Sequence, residues 1–186
     1  MRFRAYVALS AAAAVAALSI AAGAPAAAAE PPTVVYGNIS APGGFSSATC
    51  PAGTQLVGGG YDARHTVNGV NNVVDGLVVF APDLQKPNTW NSQMYYGQVR
   101  SVAMCAKGDG PAPRAVAGPG SEKGGYSKVI CPAGTQLVAG GYASTPSVNG
   151  LGAYVDAVDT NAPTADNGWT AKMTLGVAQA VALCSS

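Results

Sequence analysis

Along Trp169-Thr-Ala-Lys-Met-Thr-Leu175 apolar and polar residues alternate. Trp169, Ala171, Met173 and Leu175 share one face and Thr170, Lys172 and Thr174 the other, the period of a half-buried β-strand. Trp90-Asn-Ser-Gln-Met-Tyr-Tyr96 repeats the alternation. It places Trp90, Met94 and Tyr96 inward, and Tyr95 outward beside Asn91 and Gln93. Gly97 and Gly176 mark turns before two more apolar runs, Val99 to Met104 and Val177 to Leu183. Turn residues recur about every eight to twelve positions and no useful stretch has a helical period, so the chain is expected to be all-β. Asn68-Gly69 and Asn149-Gly150 predict two-residue hairpins, because Asn and Gly tolerate the positive φ such turns demand.

The pattern is written twice. Cys50-Pro-Ala-Gly-Thr-Gln-Leu-Val57 recurs unchanged as Cys131-Pro-Ala-Gly-Thr-Gln-Leu-Val138. Gly59-Gly60-Tyr61 matches Gly140-Gly141-Tyr142, Val67-Asn68-Gly69 matches Val148-Asn149-Gly150, and Ala81-Pro82 matches Ala162-Pro163, all offset by 81. After a two-residue deletion the offset is 79, pairing Trp90 with Trp169, Met94 with Met173, Gly97 with Gly176 and Cys105 with Cys184. About 30 of roughly 71 aligned positions are identical, which marks a duplication. The expected organisation is a first β repeat over 30–106, a Gly/Pro-dense linker over 107–114, and a second β repeat over 115–186. Each repeat reads as a small β-sandwich-like unit. The short linker favours units packed side by side, either as separate domains or as halves of one pseudo-symmetric domain.

Residues 1–29 read as an address. Arg2 and Arg4 form a positive n-region, no charge follows until Glu30, and Ala27-Ala28-Ala29 offers a small-residue cleavage site. Alanine is too weakly apolar, and Gly23 and Pro25 too disruptive, for a retained membrane span. No Cys lies near the cleavage region for a lipid anchor, and only two residues follow Cys184. A released, secreted product with no membrane attachment after signal cleavage is the expectation.

A unit of about 70 residues buries too little surface to be comfortably stable alone. One Cys opens the shared block of each copy and another closes its last strand. Of the three pairings four cysteines allow, the duplication selects Cys50–Cys105 and Cys131–Cys184, since each copy folded alone before it was doubled. Each bridge closes a loop of about 55 residues and contributes about 4 kcal/mol by chain entropy. A four-cysteine metal site fails on spacing, because no C-x-x-C pair exists.

Composition narrows the chemistry. Of 186 residues 48% are apolar and 10% charged, with a net charge of +1 and a single His. Without the signal, 8 basic and 9 acidic residues remain, a net of −1. No basic patch for nucleic acid is present. His65 has Pro146 as its counterpart, and no G-x-S-x-G surrounds any serine, so a triad is not expected. Asp75 and Asp156 are equivalent and read first as turn or backbone-capping residues, with Tyr95 and these two as candidate binding residues. A glycosidase pair would have to be Asp156 and Asp159, and a calcium loop Asp156, Asp159 and Asn161. The first copy lacks counterparts of Asp159 and Asn161, having Val78 and Phe80. The glycines at 58–60 and 139–141 lack the helix and Lys of a phosphate loop and read as sites of bulging or close sheet packing. No cofactor or metal is expected.

The block Cys-Pro-Ala-Gly-Thr, then Gly-Gly-Tyr, then a Trp opening an alternating strand, then Val-Ala-x-Cys, resembles a repeat of secreted bacterial proteins. It is carried by Cys50–Thr54, Gly59–Tyr61, Trp90 and Val102–Cys105, and again by Cys131–Thr135, Gly140–Tyr142, Trp169 and Val181–Cys184. The Ala-rich leader resembles those of actinobacterial secretomes. The resemblance implies a secreted, disulfide-closed β module and brings no catalytic residue. The leading expectation is a non-enzymatic binding or structural protein acting outside the cell on envelope or polymer surfaces, its partner an extracellular polymer or protein. A second is an inhibitor of secreted proteases using Asp83–Asn88, a segment whose length differs between copies. A third, weaker one is a carbohydrate hydrolase built on paired Asp.

Overall fold

The computed structural model describes residues 30–70 and 72–185, so the expected signal lies outside the described residues. Those residues form strands and no helix. The first half supplies β1 (Thr33–Tyr36), β2 (Phe45–Thr49), β3 (Thr54–Arg64), β4 (Leu77–Pro82), β5 (Thr89–Met94) and β6 (Gln98–Lys107). The second half supplies their counterparts in the same order: β7 (Arg114–Gly120), β8 (Tyr126–Ile130), β9 (Leu137–Thr145), β10 (Val158–Thr164), β11 (Gly168–Met173) and β12 (Val177–Cys184).

The strands build three antiparallel sheets, β1-β6-β3, β10-β11-β8 and a six-stranded β2-β5-β4-β9-β12-β7. The last runs through both halves, so they are joined by a continuous sheet rather than merely packed side by side. The joint is β4 on β9, with Val79 opposite Ala143 and Phe80 opposite Tyr142. Its closeness depends on Gly141, where a Cβ would overlap the Phe80 carbonyl.

The core has two parts. Ala48, Cys50, Leu56, Trp90, Ala103 and Cys105 pack in the first half, and Val129, Cys131, Tyr142, Ala171, Met173, Ala180 and Ala182 in the second. Both disulfides form as the duplication requires, Cys50–Cys105 and Cys131–Cys184, with Cα separations of 5.6 and 5.7 Å. Because the six-stranded sheet is covered on both faces where β12 lies, its run Val181-Ala-Leu-Cys184 is buried continuously. Leu183 points away from the second-half core and completes the first. The predicted strand glycines serve close packing: a Cβ at Gly59 would enter the Trp90 ring, and one at Gly140 the Trp169 ring.

Two expectations are corrected. Tyr96 and Leu175 are not inward but 41% and 50% exposed, while Tyr95 is half-buried. The alternation ends with the strands, at Met94 and Met173, because the next residues turn to donate their N–H groups to Asp75 and Asp156. Nor are Asn68-Gly69 and Asn149-Gly150 two-residue hairpins. Asn68 Oδ1 accepts from the N–H groups of Val70 and Asn72, and Asn149 Oδ1 from those of Leu151 and Ala153, all at 3.0 Å, so each Asn side chain closes a wider loop. Among the described residues the positive-φ asparagines are instead Asn88 (φ 56°) and Asn167 (φ 61°), before β5 and β11. Their amides dock on the start of the preceding repeat block: Asn88 on Leu56 N–H and Thr54 C=O, Asn167 on Leu137 N–H and Thr135 C=O.

Candidate functional site

Asp75 is buried, and its carboxylate is fully used by the backbone. Oδ1 accepts from Gly76 and Tyr96 N–H, both at 2.9 Å, and Oδ2 from Gly97 N–H at 2.7 Å and Thr66 N–H at 3.2 Å. It ties the 65–75 loop to the β5–β6 turn. Gly97 is needed there because a Cβ would collide with the carboxylate. Asp156 repeats the device with three donors: Ala157 and Leu175 N–H on Oδ1 and Ser147 N–H on Oδ2, each at 2.9 Å. Backbone capping, the first reading of these residues, is what their geometry performs. Tyr95 lies edge-on to Tyr96, with centroids 4.5 Å apart, and 5.9 Å from the Tyr154 ring. Tyr96 donates its hydroxyl to the Gly152 carbonyl at 2.5 Å. This cluster fastens the 146–156 loop of the second half onto the first.

The structure brings Asp75 and Asp156 to the same cleft, between the halves. One lobe, about 400 Å³, is lined by Tyr61, Asp75, Gly76, Leu77, Phe80, Tyr142, Tyr154, Asp156, Ala157, Val158 and Asn161. In the duplication Tyr61 is the counterpart of Tyr142, Asp75 of Asp156, Gly76 of Ala157, Leu77 of Val158 and Phe80 of Asn161. Only Tyr154 lines the lobe without its counterpart, Val73. The cleft therefore sits on the pseudo-two-fold axis relating the repeats. An adjoining lobe of about 370 Å³ shares Phe80 and Asn161 and adds the pairs Val57/Val138, Gly59/Gly140 and Trp90/Trp169.

Symmetry sets the walls and is broken at them. The counterparts of β4 and β9, which pair, are β10 and β3, which do not: each ends its own three-stranded sheet. β3 and β10 thus face the cleft as two unpaired edges, with the β4–β9 joint between them. Met104, the counterpart of Leu183, shows the same difference, being 38% exposed where Leu183 is 1% exposed. Asn161 accepts a hydrogen bond from the Trp169 indole N–H at 2.7 Å. Phe80 stands at the equivalent place beside Trp90, with ring centroids 5.0 Å apart, and the buried Trp90 indole N–H has no hydrogen-bond partner.

The cleft is aromatic, and its Asp75, Asp156, Asn161 and Tyr142 side chains are committed internally. Tyr142 donates its hydroxyl to the Leu77 carbonyl at 3.0 Å. Burial pushes the Tyr142 phenol well up, and burial followed by the nearby Asp156 and Asp75 charges pushes Tyr154 up to about 12. Both rings therefore stay neutral at ordinary pH and present apolar faces.

No family model, curated protein or solved structure matches this chain. Its own geometry must carry the functional reading.

The remaining candidates are placed elsewhere. His65 is exposed on its loop. Asp159 pairs with Lys172 at 3.0 Å and accepts from the Thr174 hydroxyl at 2.7 Å, and these hydrogen bonds hold its carboxyl below the usual value, the wrong direction for a glycosidase acid. With Asp156 bound to backbone and Asn161 to Trp169, the three do not converge as calcium ligands. Among the described residues no cluster of three His, Cys, Asp or Glu could hold a metal. No helix among them is long and apolar enough to cross a membrane. Asp83–Asn88 is a tight turn: Asp83 Oδ1 accepts from Gln85 and Lys86 N–H at 2.8 and 2.9 Å, and Oδ2 from the Asn91 amide at 2.9 Å. Such a turn does not present the extended backbone a protease inhibitor inserts.

The residues missed by sequence reasoning are Tyr61, Phe80, Tyr142 and Tyr154. Tyr61 and Tyr142 recur in the duplicated Gly-Gly-Tyr block, and that repetition was the available signal. Phe80 and Tyr154 break the repeat, so only the folded chain shows them lining the same lobe.

Proposed function

We propose that this is a secreted, non-enzymatic binding protein that acts outside the cell, on a partner held at envelope or polymer surfaces, through the cleft between its repeats. We read each half as a small β-sandwich and the duplication as the origin of the cleft. One observation carries the reading: repeat-equivalent residues from both halves converge on an open, aromatic groove whose two carboxylates, Asp75 and Asp156, are already taken by backbone N–H groups. Ligand sites are concave and mostly apolar, with a few fixed polar groups. The two disulfides fit an oxidising compartment and so support export. The committed carboxylates Asp75, Asp156 and Asp159 favour binding over hydrolysis.

The test is retention of the disulfide-bonded protein on washed cell-envelope and extracellular-polymer fractions, beside a Tyr61→Arg variant. Tyr61 is 50% exposed, so Arg is tolerated by the fold while placing a charge in the groove. Saturable retention of the wild type, at least tenfold weaker for Tyr61→Arg, is expected. Equal retention of both, or release of reducing ends or new amino termini from the material, overturns the proposal.

A further inference from the structure

The reading above assigns a groove; the chemistry of its occupant is written in the unpaired edge of β3. We propose that β3, over Gly58–Asp62, takes an extended polypeptide segment as an added antiparallel strand, one that is uncharged, apolar and rich in β-branched and aromatic side chains. This rests on the cleft being the binding seat and adds what it binds.

Three observations point there. First, the molecule holds a worked example of the contact. β9 is the counterpart of β3, and the edge of β9 is covered by β4, Leu-Val-Val-Phe-Ala-Pro, with Phe80 opposite Tyr142. Among the described residues β3 pairs with β6 along one edge and with no strand along the other, the edge equivalent to that of β9 covered by β4. Exposed backbone N–H and C=O groups on a sheet edge are completed by a strand, and neighbouring pockets then select its side chains.

Second, Gly60 is a glycine that the free fold does not require. At its twin, Gly141, a Cβ would overlap the Phe80 carbonyl of the paired strand. At Gly60 the nearest neighbour of a Cβ is the Val102 side chain at 3.6 Å, an ordinary contact, and φ is not in the left-handed region. The only close approach that needs glycine at this place in the repeat is that of another strand.

Third, of the two open edges β3 is the receptive one. β10 carries Pro163, which has no N–H to offer. β3 carries Gly58-Gly59-Gly60, with Phe80 packed edge-on to Tyr61 beneath it at 5.6 Å. A five-residue strand spans about 16 Å along that edge.

The probe is a capped fluorescent peptide copying Leu77–Pro82, the strand that covers the twin edge, titrated by anisotropy into the full disulfide-bonded protein. Saturable binding is expected, falling at least tenfold with Gly60→Ala, whose urea midpoint stays at the wild-type value. The same peptide N-methylated at the amides that face β3 should also bind at least tenfold more weakly, independently of any change in the protein. No binding of the parent peptide, or undiminished binding of the methylated one or by Gly60→Ala, overturns the proposal. So does quantitative disulfide formation in Asp62→Cys/Thr160→Cys, which would show β10 itself occupying the edge. The envelope assay separates the two levels: retention sensitive to Tyr61→Arg but indifferent to Gly60→Ala keeps the groove and removes the strand.

Discussion

Replacing Asp75 by Asn keeps the shape of the side chain and removes its charge and one acceptor oxygen. In the native protein each oxygen takes two backbone N–H groups, Gly76 and Tyr96 on one and Thr66 and Gly97 on the other. Whichever way the new amide turns, its NH₂ faces two donors. Hydrogen bonds to a charged acceptor contribute about 1.5–3 kcal/mol each, so Asp75→Asn should cost about 3–6 kcal/mol. Asp156→Asn is the internal comparison. Its Oδ1 takes Ala157 and Leu175 N–H but its Oδ2 only Ser147 N–H, so the amide can turn to sacrifice one bond. The cost there should be about 1.5–3 kcal/mol. Urea denaturation of the oxidised proteins measures both, with an unchanged m value confirming a common unfolded reference. A loss for Asp156→Asn equal to or greater than that for Asp75→Asn would refute the donor counting.

Further outcomes follow from other parts of the fold. Cys50→Ala/Cys105→Ala should lose about 4 kcal/mol by the chain-entropy estimate, read from the urea midpoint beside the parent. Gly141→Ala should cost about 2–4 kcal/mol, since its methyl must part β4 from β9, and hydrogen exchange at Phe80 and Tyr142 should accelerate. In alkali, Tyr154 is protonated in the folded chain up to about 12 but loses its proton near 10 when unfolded. The unfolded state therefore binds fewer protons in that window, and stability, flat below about pH 10, should fall as pH rises towards 12. A stability that rises or stays level through that range, followed by circular dichroism, would contradict the burial of this ring.

Much of the architecture was legible because duplication constrains it. The cysteine partners, the strands opened by Trp90 and Trp169, the close-packing glycines and the capping role of Asp75 and Asp156 all occur twice and could be read from either copy. What escaped depends on differences between the copies. That β4 pairs with β9 while β10 leaves β3 open is a difference between the copies, and no local period reports which edge a strand will meet. The alternation through Tyr96 and Leu175 misled because the pattern continued past the point where the carboxylates pull the chain into a turn. The Asn-Gly pairs misled for a similar reason: the Asn side chain, bonding to N–H groups two and four residues on, competes with the hairpin that the dipeptide alone would make. Of the candidate site only Asp75 and Asp156 were visible; the proposed Tyr95 lies outside it, and the site's Tyr61, Phe80, Tyr142 and Tyr154 needed the two copies folded together.

Leu183 belongs to the apolar interior of the half that is synthesised first. A chain emerging amino terminus first holds that interior unfinished, one side bare, until almost all of the later half has been made. Early closure of Cys50–Cys105 would tether an incomplete nucleus, and the arriving β12 would act as its lid. The two copies are thus interlocked in time: neither is finished by its own residues alone, and the earlier one waits for the later.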